Sequence, residues 1–151
     1  MFIKESELFK EMSQEFMNEL AKIMVEESHE KGTLLFKESD SANFLYILEE
    51  GQVRLAVGER GHIVHLLSNP GEVFGWSSLV ERDTYTASAE CLAQSKLIKI
   101  EIEQLNKIFE KHLADGMLFF KRLAGVVGQR LINSYNSLLS SQRGEDQPSY
   151  G

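Results

Sequence analysis

The feature that most constrains the fold is the region from residue 31 to residue 102, where short apolar or alternating runs follow one another without a long helical pattern between them. Glycine or a polar cluster stands at nearly every join. Short strands separated by turn residues are typical of antiparallel sandwiches and barrels, whereas an alternating α/β sheet needs a helix between strands. The runs are TLLF (33–36), FLYIL (44–48), QVRLAV (52–57), HIVHLL (62–67), EVFGW (72–76), TYTASAECLA (84–93) and KLIKIEI (96–102). We therefore predict a mainly β domain.

Helical patterns flank this region on both sides. Apolar positions at helical spacing predict an amphipathic helix over residues 13–27, with Ser13 as its N-terminal cap. After the last strand the pattern predicts a short helix over 103–112 and a long one over 115–140. Residues 141–151 are polar and contain Gly and Pro, so we predict that they are disordered.

The long helix carries two apolar flanks, and only one of them can pack on the sheet. The other flank is a stripe at helical spacing, formed by Met117, Phe120, Ala124, Val127, Leu131 and Leu138. We predict that this stripe forms a symmetric helix pair in a homodimer; the alternative is a single helix packed on its own sheet. Gly125 and Gly128 also lie in this helix, and each costs about 1 kcal/mol of helix propensity. Close approach of a second backbone or a ligand would explain that cost, and so would simple tolerance.

Composition restricts the partners. The chain has 151 residues, with 16 Lys and Arg against 23 Asp and Glu, which gives a net charge of −7. An acidic balance argues against a nucleic acid held by its phosphates and against an anionic membrane surface. No apolar run approaches the roughly 18 residues of a membrane span, and the first residues lack a signal-peptide core. We expect one soluble, cytoplasmic domain.

The residues that could carry chemistry form no recognisable catalytic motif. His62 and His65 would point to opposite faces of a strand and so cannot bind one metal ion together. No GxSxG pattern surrounds Ser77 and Ser78, and the single cysteine, Cys91, fits a small buried residue better than a nucleophile. We predict that the protein is not an enzyme, with no catalytic residue, no metal site and no required cofactor.

One segment, GEVFGWSSLVERDTYTASA (71–89), has the features of a binding loop. A strand enters it, Gly75 permits an unusual backbone angle, and a short helical turn starting at Ser77 precedes the returning strand. The candidate pocket residues in this segment are Phe74, Gly75, Trp76, Ser77, Ser78, Leu79, Tyr85, Thr86 and Ala87.

The order and spacing of these segments resemble the cyclic nucleotide-binding domain, in particular the sensor half of catabolite-activator-like bacterial regulators. The resemblance covers residues 13–140 and is carried by KGTLLFKESDSANFLYILEEGQVRLAV, PGEVFGWSSLV, YTASA and the long final helix. It implies an eight-stranded β-roll of the jelly-roll (double-stranded β-helix) type with flanking helices, in which the long helix is both dimer seam and back wall of the pocket. In those regulators a helix-turn-helix domain follows, whereas only residues 141–151 follow here. We therefore expect a sensor domain that signals to a partner output protein without binding DNA.

The binding cassette departs from the family pattern at two positions. The family places a glutamate after the glycine to bind the ribose hydroxyl, and an arginine before Thr-Ala to bind the cyclic phosphate. Here Trp76 and Tyr85 stand at those two positions. Each lost charge-assisted hydrogen bond removes roughly 1.5–3 kcal/mol, so the departures predict weak or absent binding of cAMP and cGMP.

Two questions about this pocket stay open from the sequence. Trp76 and Tyr85 could stack on another small planar ligand, or they could fill the pocket with their own side chains. Arg54 and Arg82 are candidates to replace the missing cationic group.

Overall fold

The structure, a computed structural model, describes residues 6–146, with side-chain surroundings up to residue 141. It contains three α-helices, eight β-strands and one short 3-10 helix. The helices are α1 (Gln14–Ile23), α2 (Ile102–Lys111) and α3 (Leu113–Asp146), and the 3-10 helix is Ser77–Val80. The strands are β1 (Met24–His29), β2 (Leu34–Phe36), β3 (Phe44–Glu50), β4 (Val53–Val57), β5 (His62–Leu67), β6 (Val73–Phe74), β7 (Ser88–Cys91) and β8 (Ser95–Glu101).

The strands form two four-stranded antiparallel sheets that enclose the interior of a roll. The strand orders are β1-β8-β3-β6 and β2-β7-β4-β5. Central strand β3 is buried along most of its length, because one face points into the roll and the other packs against the helices. The predicted mainly antiparallel β-roll with a long C-terminal helix is confirmed.

Two hydrophobic cores correspond to the two faces of the first sheet. The core inside the roll is rich in aromatic rings and includes Phe36, Tyr46, Phe74 and Tyr85. The outer core joins alternate residues of β3 and β8 to the helices, where Phe16 of α1 stacks on Phe109 of α2 at 5.7 Å between ring centroids. Because side chains alternate between the two faces of a strand, residues of this one sheet contribute to both cores.

The starts of α1 and α3 are joined by a polar clamp. The backbone N–H and the hydroxyl of Ser13 donate to the two carboxylate oxygens of Asp115, at 2.8 and 2.6 Å. The same hydroxyl accepts from the N–H of Phe16, which makes Ser13 the predicted N-terminal cap of α1. The first turn of α3 is therefore fixed to α1.

Four predicted segment boundaries are wrong. The first helix ends at Ile23 rather than at residue 27, because Met24 turns to extended geometry and residues Met24–His29 pair with β8 along six register positions. In the segment 84–93 only Ser88–Cys91 forms a regular strand, and in 72–76 only Val73–Phe74 does. α3 continues to Asp146, into the segment predicted to be disordered, while residues 147–151 lie outside the described part of the chain.

The predicted stripe of α3 lies on its solvent side. All of its members are exposed in this single chain: Met117, Phe120, Ala124, Val127, Leu131 and Leu138. The other apolar flank, with Phe119 and Leu123, is buried against the roll. The helix therefore packs on its own sheet along one flank and leaves the stripe uncovered by the residues that the structure describes.

Candidate ligand-binding site

A small cavity lies where the sequence predicts the binding loop. It has a volume of about 80 Å³ and opens between the roll and α3. Its walls come from three parts of the chain, namely β2 and β4 of the second sheet, the loops on either side of the 3-10 helix, and α3. The lining residues are Phe36, Leu55, Gly75, Trp76, Ser77, Tyr85, Thr86, Ala87 and Arg130.

Gly75 is required by both the backbone angle and the space around it. Its φ is +83°, in the left-handed region. A Cβ atom there would stand 2.9 Å from the Phe44 carbonyl oxygen and 3.2 Å from the Tyr46 ring. Only glycine satisfies both restrictions, and the chain can therefore leave β6 and enter the 3-10 helix directly.

Tyr85 is the residue that narrows the cavity. Its ring is 4% exposed and stacks on Phe36 with 3.7 Å between centroids and 16° between planes. Its hydroxyl donates to the carbonyl oxygen of Phe44 at 2.7 Å and accepts from the Phe44 N–H at 3.1 Å. Burial raises the pKa of the Tyr85 phenol, and the hydrogen bond to Phe44 only partly opposes this, so the ring stays neutral. A neutral, hydrogen-bonded ring thus stands where the sequence resemblance predicts the family's phosphate-binding arginine.

Trp76 faces α3 and contacts a cation that comes from that helix. The Arg130 guanidinium lies over the indole at 4.4 Å from its centroid. One guanidinium nitrogen donates to the Val73 carbonyl oxygen at 2.7 Å, and the same nitrogen stands 3.9 Å from the Glu7 carboxylate. Because Arg130 touches both the loop and β6, it ties α3 to the candidate site.

Burial and nearby charges shift the pKa values of Arg130 and of its neighbours Glu7 and Glu72. Desolvation lowers the pKa of Arg130, but Glu7 and Glu72 oppose this, and the guanidinium stays charged. Burial raises the pKa of Glu7, despite its hydrogen bond from the Val73 N–H and the nearby Arg130. Burial also acts to raise the pKa of Glu72, but contact with His65 and the backbone N–H groups of Asn69 and Ser68 outweigh it and lower that pKa. One cation and two carboxylates therefore lie at the junction of roll and helix.

Most of the candidate residues line the cavity, and three do not. Phe74 is fully buried in the roll core. The Ser78 hydroxyl donates to the Ala42 carbonyl oxygen at 2.6 Å, and Leu79 packs against the outer core. The 3-10 helix turns these two side chains away because Ser77, at its start, is the residue that faces the cavity.

The suggested replacements for the family's arginine do not reach this cavity. Arg54 forms an ion pair with Glu90 across β4 and β7, with 2.6 Å between nitrogen and oxygen. Arg82 is exposed in the loop after the 3-10 helix. The arginine that lines the cavity is Arg130, which the sequence analysis missed. The available signal was its spacing, since Arg130 continues the buried flank that contains Phe119 and Leu123.

Neither metal clusters nor membrane helices occur in the part of the chain that the structure describes. Residues 6–146 contain no group of three or more His, Cys, Asp or Glu side chains placed to hold a metal ion. Within the same residues, no helix is both long and apolar enough to cross a membrane. Cys91 is buried in β7, and burial raises the pKa of its thiol.

The fold is a β-roll whose predicted binding loop faces a long C-terminal helix. The sequence matches the cyclic nucleotide-binding domain family over residues 26–112. The chain belongs to this family, as its resemblance predicts. A comparison of the sequence with curated proteins gave no significant match.

Solved structures show the same architecture. A protein of Geobacter metallireducens GS-15, described as a candidate cyclic nucleotide-binding protein, is 31% identical, with a TM-score of 0.73, over 82% of this chain and 91% of its own. The catabolite activator protein of Thermus thermophilus is 24% identical, with a TM-score of 0.70, over 91% of this chain and 63% of its own. The sensor domain of the transcriptional regulator DNR of Pseudomonas aeruginosa is 19% identical, with a TM-score of 0.71, over 85% of this chain and 88% of its own. At their lower identities, the last two show the shared fold.

Proposed function

We propose that this protein is a non-enzymatic regulatory module of the cyclic nucleotide-binding domain family that binds cAMP and cGMP weakly or not at all. The observation that carries the proposal is the 80 Å³ cavity at the binding loop. Small-molecule sites have volumes of about 300 Å³ or more, so a nucleotide needs a several-fold larger space. Tyr85, which stacks on Phe36 and is hydrogen-bonded to Phe44, occupies that space. Any ligand that fits would be smaller than a nucleotide and would require no metal or cofactor.

The second part of the proposal is a homodimer through α3 that passes a signal to an output protein. Its support is the exposed stripe, in which Met117 is 76% exposed, Leu131 51% and Leu138 63%. Large apolar side chains aligned along several turns of a helix form a contiguous surface that usually marks a protein interface. The link to the cavity is Arg130, which extends from the same helix to Trp76.

A second candidate is an interaction module whose pocket is filled by its own side chains. The stacking of Tyr85 on Phe36 favours this second candidate, because moving the ring out of the pocket would break both the stacking and the hydrogen bond to Phe44. The two candidates differ in whether any small molecule raises the melting temperature of the purified dimer. For the interaction module, no small molecule raises the melting temperature, and the surface binds only a partner protein.

Calorimetric titration with cAMP and cGMP tests the nucleotide prediction. We expect no saturable binding tighter than about 100 μM in the wild-type protein, a limit that corresponds to roughly 5.5 kcal/mol. The Trp76→Glu, Tyr85→Arg double variant restores both family residues, and a melting curve establishes that it is folded. Binding that is tighter in this variant supports the assignment of the cassette. Tight binding by the wild type would overturn the proposal and direct attention to Arg130.

Sedimentation of stripe variants tests the dimer. We expect Val127→Asp and Leu131→Asp each to shift the protein from dimer to monomer, since each places a charge in an apolar seam. Asn133→Asp adds the same charge to the same helix outside the stripe and is the matched control. A wild-type monomer, or a dimer that both stripe variants retain, would contradict the assignment of the seam.

A further inference from the structure

A second and larger cleft lies on the other side of Arg130. It has a volume of about 450 Å³ and is bounded by the turn that contains Glu7 and Lys10, by the strand-to-strand region of His65 and Glu72, and by α3. That volume is within the range of small-molecule sites. None of the nine candidate pocket residues lines this cleft, and Arg130 is the one residue that it shares with the cavity in the roll.

A glycine of α3 gives this cleft part of its width. Gly125 lines it, and a Cβ atom at Gly125 would meet no atom within 4 Å. Glycine in the middle of a helix lowers stability by about 1 kcal/mol relative to alanine. No close packing of the described residues against Gly125 requires a glycine there. A molecule that lies in the cleft against the bare backbone would account for it.

Both acidic groups of the cleft accept backbone hydrogen bonds, whereas Lys10 has no ion-pair partner among the described residues and Arg122 is only partly satisfied. The Glu7 carboxylate accepts from the Val73 N–H at 3.0 Å, and a Glu72 oxygen accepts from two backbone N–H groups at 2.9 Å each. Lys10 is exposed and forms no ion pair with the described residues. Arg122 donates to the Lys10 carbonyl oxygen, and its carboxylate neighbour, Glu11, stands 3.8 Å away and is 84% exposed.

Neutral polar groups complete the lining. The side chains of Gln129 and Asn133 bond to each other at 3.1 Å and keep further donors and acceptors available. The His65 Nε2 atom is buried, stands 3.6 Å from a Glu72 oxygen, and has no hydrogen-bond partner within the described chain. The groups that can bind a ligand in this cleft are thus the Lys10 ammonium, the remaining N–H donors of Arg122, two amides and one imidazole nitrogen.

The cleft is separate from the proposed dimer seam. With about 100° per residue, the cleft positions on α3 are centred about half a turn from the stripe around Val127. The buried flank with Leu123 lies between them on one side. A dimer formed through the stripe therefore leaves the cleft open to solvent.

We propose that this cleft is a binding site for a small organic anion with a phosphate or carboxylate group. Lys10 and Arg122 bind the anionic group, and Gln129 and Asn133 bind hydroxyl or amide groups of the remainder. Because Arg130 forms one wall of the cleft and contacts Trp76 on its other side, occupancy is transmitted to the loop of the roll. The inference does not depend on whether the roll binds a nucleotide.

An NMR titration of the full-length protein tests the site with three probes that share one carbon skeleton. Glycerol 3-phosphate and glycerate carry the two anionic groups, and glycerol is neutral. We expect saturable shifts of the amide signals of Gly125, Gln129 and Asn133 with at least one anion at up to about 10 mM, and none with glycerol. Equal shifts with glycerol, or no saturable shift with either anion, would overturn the proposal.

Two glycine variants of α3 provide the matched comparison. Gly125→Leu fills the cleft, whereas Gly128→Leu adds the same side chain at a position that also has no atom within 4 Å but does not line the cleft. We expect binding to weaken by about tenfold or more in Gly125→Leu and to persist in Gly128→Leu. Lys10→Ala, an exposed substitution that leaves the fold intact, is expected to weaken binding similarly. Equal affinity in Gly125→Leu, Lys10→Ala and wild type would place the anion elsewhere and refute the assignment.

Discussion

The Tyr85 hydroxyl offers a direct measure of how firmly the roll is closed, and the perturbation is Tyr85→Phe. The variant keeps the ring and its stacking on Phe36 but removes one oxygen that both donates to and accepts from Phe44. Each hydrogen bond contributes a net 0.5–1.5 kcal/mol, so we expect the free energy of unfolding to fall by about 1–3 kcal/mol. For a domain of 151 residues this lowers Tm by about 2–10 °C.

Urea and thermal unfolding, followed by circular dichroism, measure this change. The m-value should stay constant, because the variant exposes the same surface on unfolding. Tyr135→Phe is the matched control, since Tyr135 is 54% exposed on α3, and we expect it to change stability by less than about 0.5 kcal/mol. If Tyr85→Phe were as stable as Tyr135→Phe, the hydroxyl would not hold the ring, and the argument that Tyr85 closes the cavity would fail.

Three further predictions concern the frame around the site. Gly51→Ala should lower the free energy of unfolding by about 3 kcal/mol or more, because the new Cβ would lie 2.6 Å from a backbone oxygen and the φ of +102° is unfavourable for alanine. Gly58→Ala, which has open space around it, should lower the free energy of unfolding by only about 1 kcal/mol. Chemical denaturation that gives equal losses for the two would contradict this. The His112 side chain holds the pKa of Glu19 below 4.5, so Glu19 stabilises the fold above that pH and loses its effect as pH falls through the lowered value. The difference in Tm between wild type and Glu19→Gln should therefore become smaller between about pH 6 and about pH 3. A difference in Tm that stays constant over this range would contradict the role of the Glu19 carboxylate in stability. Arg130→Met should lower stability by about 1–3 kcal/mol, because it leaves the Val73 carbonyl oxygen without this donor and removes the cation beside the Glu7 carboxylate. Arg130→Lys should recover part of the loss in the same assay.

The roll was predictable because its determinants are local. Alternating runs and turn glycines identify most of the strands, and Gly75 with its following serines identifies the 3-10 turn. β1 was not predictable in this way. Its residues, MVEESH, continue the polar and apolar pattern of α1, and only pairing with β8, which is remote in sequence, makes them a strand.

The candidate site also contains residues that could be predicted from local sequence and residues that could not. The residues of one continuous loop, from Gly75 to Ala87, could be assigned to a common cavity from their order and spacing. Arg130 could not, because its role depends on where the far part of α3 lies over β6, and that position is set by tertiary packing. The cleft beside Lys10 and Gly125 has the same origin, since it joins the turn that contains Glu7 and Lys10 to α3, which is remote in sequence.

The clamp between Ser13 and Asp115 makes α3 a lever. Its first turn is held by two hydrogen bonds, and the helix runs for 34 residues to Asp146. At 1.5 Å per residue, Arg130 lies about 22 Å along the axis from Asp115, so a tilt of about 5° at the clamp moves Arg130 by about 2 Å. That displacement is comparable to half the 4.4 Å between the Arg130 guanidinium and the Trp76 ring. The spacing of these two side chains therefore reports the angle of the whole helix, and a fluorescence change at Trp76 would follow any event that alters it.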